Sequence, residues 1–213
     1  EATYLLNQRG VKTKARITME NEDFDAWDNA QKDLVLLRNA KYSDYVTMGR
    51  IDHVSLSKVL QEYDAFVFPS MAETFGFPMV EAMRAGVPLI VSDIPVHREI
   101  CGNAALYFKL SDPKDLAAKI EELNTDPSLR ARLMAKAQTR VEGQFTWENH
   151  VSTMFRIMCE IVEHPHHRIL INALHARTGG GVTYLRNMLP LLSKDSRLNI
   201  HVCLHEDQSE VLP

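Results

Sequence analysis

The stretch that most constrains the fold lies between residues 65 and 93, where a strand, a tight loop, a helix and a second strand follow one another. Ala65-Phe66-Val67-Phe68-Pro69-Ser70 is a short apolar run, and so is Pro88-Leu89-Ile90-Val91-Ser92-Asp93. Runs of this kind without polar alternation read as strands covered on both faces, the habit of a parallel sheet. Between them, Gly76 marks a turn and Pro78 the start of a helix, with Gly86 as its C-terminal cap. Glu73 stands in the loop, and Glu81 falls in the first turn of a helix that begins at Pro78. Seven residues separate the two carboxylates. A strand that ends in a loop and opens a helix makes an anion site at the carboxyl edge of a parallel sheet.

The rest of the chain repeats the alternation. Glu1–Gln8 reads as the tail of a helix, Ala15–Met19 as a strand, and Phe24–Asn39 as a helix with Trp27, Ala30, Leu34, Leu36 and Leu37 on its apolar positions. A short strand, Tyr45–Met48, ends at Gly49. Ser55–Tyr63 reads as a helix with Val59 and Leu60 inward, and Ala104–Phe108 as a buried strand. Asp112-Pro113 and Asp126-Pro127 each give an N-cap followed by proline at the first helical position. Trp147–Glu163 carries an apolar stripe at helical spacing. At His164-Pro165-His166-His167 the character changes. A new strand, Arg168–Leu174, leads into a loop that ends in Gly179-Gly180-Gly181. A helix over about Val182–Leu192 and a strand over Asn199–Leu204 follow. Strands alternating with helices give an α/β fold, a Rossmann-like doubly wound parallel sheet. The boundary between two domains is placed at 164–167.

Composition excludes several classes. A net charge of −4 leaves no basic footprint for nucleic acid. Three cysteines, Cys101, Cys159 and Cys203, stand far apart, suit neither a zinc knuckle nor a disulfide framework, and point to a reducing cytoplasm. No apolar run approaches the roughly 20 residues of a membrane span, and no signal peptide opens the sequence; peripheral membrane association stays open.

Few ligands call for an anion cradle and two carboxylate acceptors together. A nucleotide-sugar does, its diphosphate meeting backbone N–H groups and its hydroxyls meeting carboxylates. With Glu73 and Glu81 flanking Phe75-Gly76-Phe77-Pro78, and with Ser92-Asp93-Ile94-Pro95-Val96-His97-Arg98-Glu99 followed by Cys101-Gly102-Asn103-Ala104-Ala105-Leu106-Tyr107-Phe108, the chain resembles the retaining glycosyltransferases of family 4. The resemblance implies a GT-B fold of two Rossmann-like lobes. Residues 1–163 resemble the C-terminal, donor-binding lobe without its first strand, and 168–213 the start of an N-terminal lobe. In the family the glycine-rich N-terminal lobe comes first. Three explanations stay open: a junction of tandem transferases, a circular permutation, or a sequence incomplete at both ends. In the family the donor lobe begins with a strand followed by an Arg and a Lys that grip the diphosphate; the resemblance implies that this sequence starts after that segment, and Arg50 is no obvious substitute.

The resemblance implies an enzyme that moves a hexose from a nucleoside-diphosphate sugar to a glycan or lipid-linked glycan acceptor, with mannose from GDP-mannose preferred and a cell-surface polysaccharide as product class. Glu81 would accept two hydrogen bonds from the ribose diol; the plain alternative is a carboxylate near a helix dipole. Glu73 would be the catalytic carboxylate beside the donor sugar and its phosphates, without acting as a nucleophile, because the leaving phosphate deprotonates the acceptor on the same face. Its plain alternative is a loop carboxylate that caps N–H groups. Thr74, Phe75, Gly76, Phe77 and Pro78 would act mainly through backbone. Arg50 and Ile51 would flank the base, or form a surface loop. Gly180 and Gly181 would face a diphosphate, although a glycine cluster alone departs from the dinucleotide fingerprint and lacks the P-loop lysine. His97, Arg98 and Glu99 read as structural, pairing across the sheet edge. Asp23-Phe24-Asp25 matches an Asp-x-Asp metal motif but suits capping better, and the 164–167 histidines suit a linker better than a metal. No cofactor and no metal are expected, and no nucleic acid partner. Two alternatives stay open: a sugar-nucleotide epimerase of the same fold, and a non-catalytic nucleotide-binding module.

Overall fold

The structure, a computed structural model, describes residues 1–20, 40–161, 167–173, 180–196 and 198–204. The helix expected over Phe24–Asn39 and the Asp23-Phe24-Asp25 triplet lie outside these residues, as do His164, Pro165 and His166. The chain divides into two compact units, Glu1–Val141 and Glu142–Pro213. The sequence boundary at 164–167 falls inside the second unit. The helix before that boundary belongs with the residues that follow it, because its apolar stripe packs on them.

The first unit opens with α1 (Ala2–Gln8), β1 (Ala15–Ile17), α2 (Ala40–Ser43), β2 (Val46–Met48) and α3 (Leu56–Gln61). It continues with β3 (Phe66–Phe68), α4 (Phe77–Arg84), β4 (Leu89–Ser92), α5 (Pro95–Cys101), β5 (Ala105–Phe108), α6 (Pro113–Thr125) and α7 (Pro127–Gln144), whose last turn runs into the second unit. All strand pairing among the described residues is parallel. β1 pairs with β2, Ala15 opposite Val46, and β3, β4 and β5 form a three-stranded sheet with Phe66 opposite Leu89 and Leu89 opposite Ala105.

All four residues of central strand β4 are buried, so both of its faces are covered, as its unbroken apolar run requires. Successive side chains of a strand point to opposite faces. Ile90 enters a cluster with Phe108, Leu123 and Leu133, which places α6 and α7 on that side. Helices α4 and α5 contact each other, α4 reaches β3 and β4, and the Cys101 thiol lies 3.5 Å from the Met79 sulfur. Helix α1 docks on α6 through Ala2, Leu6 and Ala117.

The expected caps form. Asp112 accepts from the N–H groups of Lys114 and Asp115 at 3.0 and 3.1 Å, and Asp126 from that of Leu129 at 2.9 Å. Gly86, at φ +73°, closes α4 in a Schellman arrangement: its N–H donates to the Met83 carbonyl and that of Val87 to the Ala82 carbonyl.

The second unit holds α8 (Trp147–Ile161), β6 (His167–Asn172), α9 (Gly180–Leu192) and β7 (Leu198–Cys203), with β6 and β7 parallel. Its core gathers Val151 from α8, Ala173 after β6, and Leu185, Met188, Leu189 and Leu192 from α9. The Tyr184 hydroxyl lies 2.7 Å from His150 Nε2, and burial raises its pKa above the ordinary phenol value.

Candidate functional site

The site is built on the β3–α4 turn. Strand β3 ends at Phe68, and the chain loops through Ser70–Phe75 before α4 opens at Phe77. Gly76, buried and with φ +85° and ψ 60°, is the N-cap. A left-handed residue here turns the chain sharply enough to aim the helix start at the sheet edge. Glycine takes that conformation without the steric cost that a Cβ brings. A Cβ would also lie 2.5 Å from Met79 Cε and 3.5 Å from Phe68 Cε1.

Glu73 is half-buried, with its Cγ 3.9 Å from the position that Cβ would take. Thr74 is exposed, Phe75 half-buried, and the rings of Phe75 and Phe77 lie 4.9 Å apart. Phe77 is 62% exposed although it opens the helix. Pro78 follows at the second helical position and has no N–H to offer. The N–H groups of Gly76 and Phe77 donate to nothing among the described residues. Neither Glu73 nor Glu81 has a side-chain hydrogen bond or ion pair among those residues. Along the chain, two backbone donors without a partner among the described residues thus stand between two carboxylates that also have none there.

Two expectations are corrected. The helix starts one residue earlier than Pro78, so half-buried Glu81 stands in its second turn and no acidic residue occupies the first. Proline fits at N2 as at N1, because the first four N–H groups of a helix lack intrahelical partners in any case. The influence of the helix dipole, which fades beyond the first turn, is correspondingly weak at Glu81. Gly180 and Gly181 are not loop residues but the opening of α9. The apolar face that follows, with Leu185, Met188, Leu189 and Leu192 buried, stabilises a helix long enough to include them.

Arg50 and Ile51 lie at the carboxyl end of β2, after Gly49. The Arg50 carbonyl accepts from the Arg16 guanidinium at 3.2 Å, and its side chain is exposed. They sit in the β1–β2 pair rather than in the β3–β4–β5 sheet that carries Glu73 and Glu81. Gly180 and Gly181 belong to the second unit.

The 97–99 segment is structural, as expected, but its contacts differ in detail. His97 does not pair across the sheet edge: it is fully buried, with Nδ1 2.8 Å from the Ser92 carbonyl and 3.1 Å from Ser92 Oγ. Arg98 grips Asp93 through two hydrogen bonds, at 2.5 and 2.7 Å, which hold the carboxyl below the ordinary carboxylate range. The same guanidinium lies 4.5 Å from the Tyr107 ring centroid. Arg140 donates to the carbonyls of Glu99 and Ile100 at the end of α5. Burial pushes the Cys101 thiol up to about 12, so it is no nucleophile at neutral pH. The residue that sequence reasoning missed is Ser92, whose hydroxyl donates to the Ser70 carbonyl at 2.5 Å. A serine closing an otherwise apolar, fully buried strand was the available signal.

Among the described residues no three His, Cys, Asp or Glu side chains converge as a metal site, and no helix is long and apolar enough to cross a membrane.

A model of the glycosyl transferases group 1 family matches residues 32–140, a span that holds every element from α2 to α5, β5, α6 and nearly all of α7. The chain belongs to that family. It is 27% identical over 139 residues to the O-antigen chain mannosyltransferase B of Escherichia coli, covering 65% of this chain and 36% of the relative. It is 43% identical over 68 residues to the O-antigen chain mannosyltransferase RfbU of Salmonella typhimurium, covering 32% of this chain and 19% of the relative. The chain therefore spans well under half the length of these curated relatives. Among solved structures, a glycosyltransferase from Rickettsia africae superimposes with a TM-score of 0.64 at 16% identity, over 76% of this chain and 44% of that one. This likeness bears on fold alone, and it is the GT-B type of α/β fold that the sequence resemblance implied.

Proposed function

We propose that this chain carries the donor half of a retaining hexosyltransferase, and that the β3–α4 turn binds a nucleoside-diphosphate sugar. The observation that carries the reading is the turn itself, with the Glu73 carboxylate before and the Glu81 carboxylate after the Gly76 and Phe77 N–H groups, none of the four having a hydrogen-bond partner among the described residues. Those donors suit phosphate or sugar oxygens, since a helix start favours negative charge. Glu81 is assigned to the ribose diol, where an ionised carboxylate accepts two hydroxyl hydrogen bonds.

Glu73 is assigned to the donor sugar and its phosphates as the catalytic carboxylate. It orients the hexose and meets charge that develops at the anomeric carbon. The acceptor hydroxyl attacks that carbon from the face the diphosphate leaves, and the departing phosphate oxygen takes the hydroxyl proton. The carbon–oxygen bond to phosphate breaks as the new glycosidic bond forms, with the anomeric configuration kept. No covalent bond to Glu73 is required, and no divalent metal. Arg50 and Ile51 are assigned to the base, and Gly180 and Gly181 to a phosphate-facing helix start, on the family resemblance alone. The names of the two O-antigen chain mannosyltransferases support mannose as the sugar and a surface glycan as the product class; GDP as the carrier, a lipid-linked glycan as an acceptor and the cytoplasmic side of a membrane as the place are assigned on the family resemblance alone.

The test is titration calorimetry of the chain with GDP, UDP and dTDP, with and without EDTA. Binding of GDP ahead of the other two, unchanged by EDTA and weakened in Glu81→Ala by about 1–3 kcal/mol for a lost charged hydrogen bond, is the expected result. Preference for UDP or dTDP would overturn the mannose assignment. Absence of all binding would overturn the donor-site reading for this chain.

A further inference from the structure

We propose that Ser92 and His97 are positioning residues that fix the Ser70–Gly76 loop, and through it the place of Glu73. The inference rests on the donor-site reading above.

The hydrogen-bond directions follow from what each atom can do. A carbonyl only accepts, so the 2.5 Å contact of Ser92 Oγ with the Ser70 carbonyl uses the one proton the hydroxyl has. Toward His97 Nδ1, at 3.1 Å, Ser92 Oγ is then an acceptor. Nδ1 therefore carries the ring proton and shares it between Ser92 Oγ and the Ser92 carbonyl at 2.8 Å. Ser70 Oγ in turn donates to the Ala72 carbonyl at 3.0 Å, one residue before Glu73. A polar path thus runs from α5 through the end of β4 into the loop.

A second path reaches the loop's other end. The His97 ring lies 5.4 Å from that of Phe68, and Phe68 Cε1 is 3.5 Å from where a Cβ on Gly76 would stand. Ser92 and His97 are fully buried, whereas Met71, Ala72 and Thr74 are exposed. The fixed pair therefore anchors a loop that has little core of its own.

His97 Nε2 is buried and has no hydrogen-bond partner among the described residues. An orphaned acceptor costs free energy that an apolar side chain of similar volume would not incur. What histidine supplies that leucine cannot is the Nδ1 donation to Ser92.

The experiment compares Ser92→Ala, His97→Leu and His97→Asn with the unsubstituted chain by GDP calorimetry and hydrogen exchange. The asparagine amide can donate from near the Nδ1 position. Ser92→Ala and His97→Leu should weaken GDP roughly 3–10-fold, the scale of one net hydrogen bond, and His97→Asn should stay within about twofold. Amide exchange should accelerate in 69–76 and stay unchanged in β4 and β5. Unaltered binding and exchange in Ser92→Ala and His97→Leu would overturn the proposal. So would a His97→Asn variant that fails like His97→Leu, or exchange that accelerates throughout β3–β5, the mark of a merely structural role. If the unsubstituted chain binds no nucleotide, the donor-site reading fails by itself. Exchange then decides the relay: local acceleration in 69–76 supports it, and none overturns it.

Discussion

Replacing Gly76 with alanine tests how the turn is held. Gly76 sits at φ +85°, and its added Cβ would lie 2.5 Å from the terminal methyl of Met79, a side chain with no exposed surface. The backbone term is about 1–2 kcal/mol for a non-glycine residue in the left-handed region. The packing term is overfilling of a close-packed core, typically about 1–3 kcal/mol, and methionine's flexibility puts it toward the lower end. The sum is about 2–4 kcal/mol. Gly86 is the matched control: it has φ +73°, with nothing within 4 Å of its added Cβ. Gly86→Ala should therefore show only the backbone term, about 1–2 kcal/mol. Urea unfolding followed by circular dichroism gives both values from the midpoint shift at constant slope. If Gly76→Ala unfolds at the same midpoint as Gly86→Ala, the Met79 methyl moves aside without cost, and the close-packing argument for this turn is wrong.

Other outcomes follow from the same geometry. Asp112→Ala removes the acceptor of two α6 amides and should cost about 1 kcal/mol in the same assay; no change would mean that water replaces the cap. Cys101 and Tyr107 are both pushed up to about 12 by burial, from 9.0 and 10.0. The unfolded chain ionises first, so stability should be intact below about pH 9 and fall as pH rises toward 12. Thermal melts of Cys101→Ser with Tyr107→Phe should show a flatter decline across that window. Asp93 is held below its ordinary value by Arg98, so its contribution is present above the usual carboxylate range and is lost as the solution is acidified through it. Asp93→Asn should flatten the acid limb of the melting curve, and an unchanged limb would show that the exposed pair adds nothing.

Much of this was legible in the sequence, for physical reasons. The β3, β4 and β5 runs are apolar because a parallel strand is covered on both sides, and the structure places all three in one sheet. The caps at Asp112, Asp126 and Gly86 were legible because each is a local event between a side chain or a glycine and the next turn. The start of α4 was misplaced by one residue because proline marks the first turn rather than one fixed position in it. Gly180 and Gly181 read as loop because glycine is a poor helix former, yet the α9 face buried in the second unit outweighs that preference. The burial of His97 was not legible: the sequence places it with Arg98 and Glu99 as a structural group at the sheet edge, and only packing against Phe68 and β4 decides which side of α5 faces inward. The boundary at 164–167 followed a change of composition, whereas the compact units follow packing, and α8 spends its apolar stripe on α9.

The central claim is that Glu81 holds the ribose of a nucleotide donor at the β3–α4 turn. Its most direct test is a cycle of two ligands and two proteins: GDP and 2′,3′-dideoxy-GDP, each titrated into the unsubstituted chain and into Glu81→Ala. The account predicts that Glu81→Ala weakens GDP by about 1–3 kcal/mol and leaves the dideoxy ligand unchanged, because the lost carboxylate and the missing diol are the two halves of one contact. Equal weakening of both ligands would contradict it, since Glu81 would then act on the fold of the turn and not on the sugar.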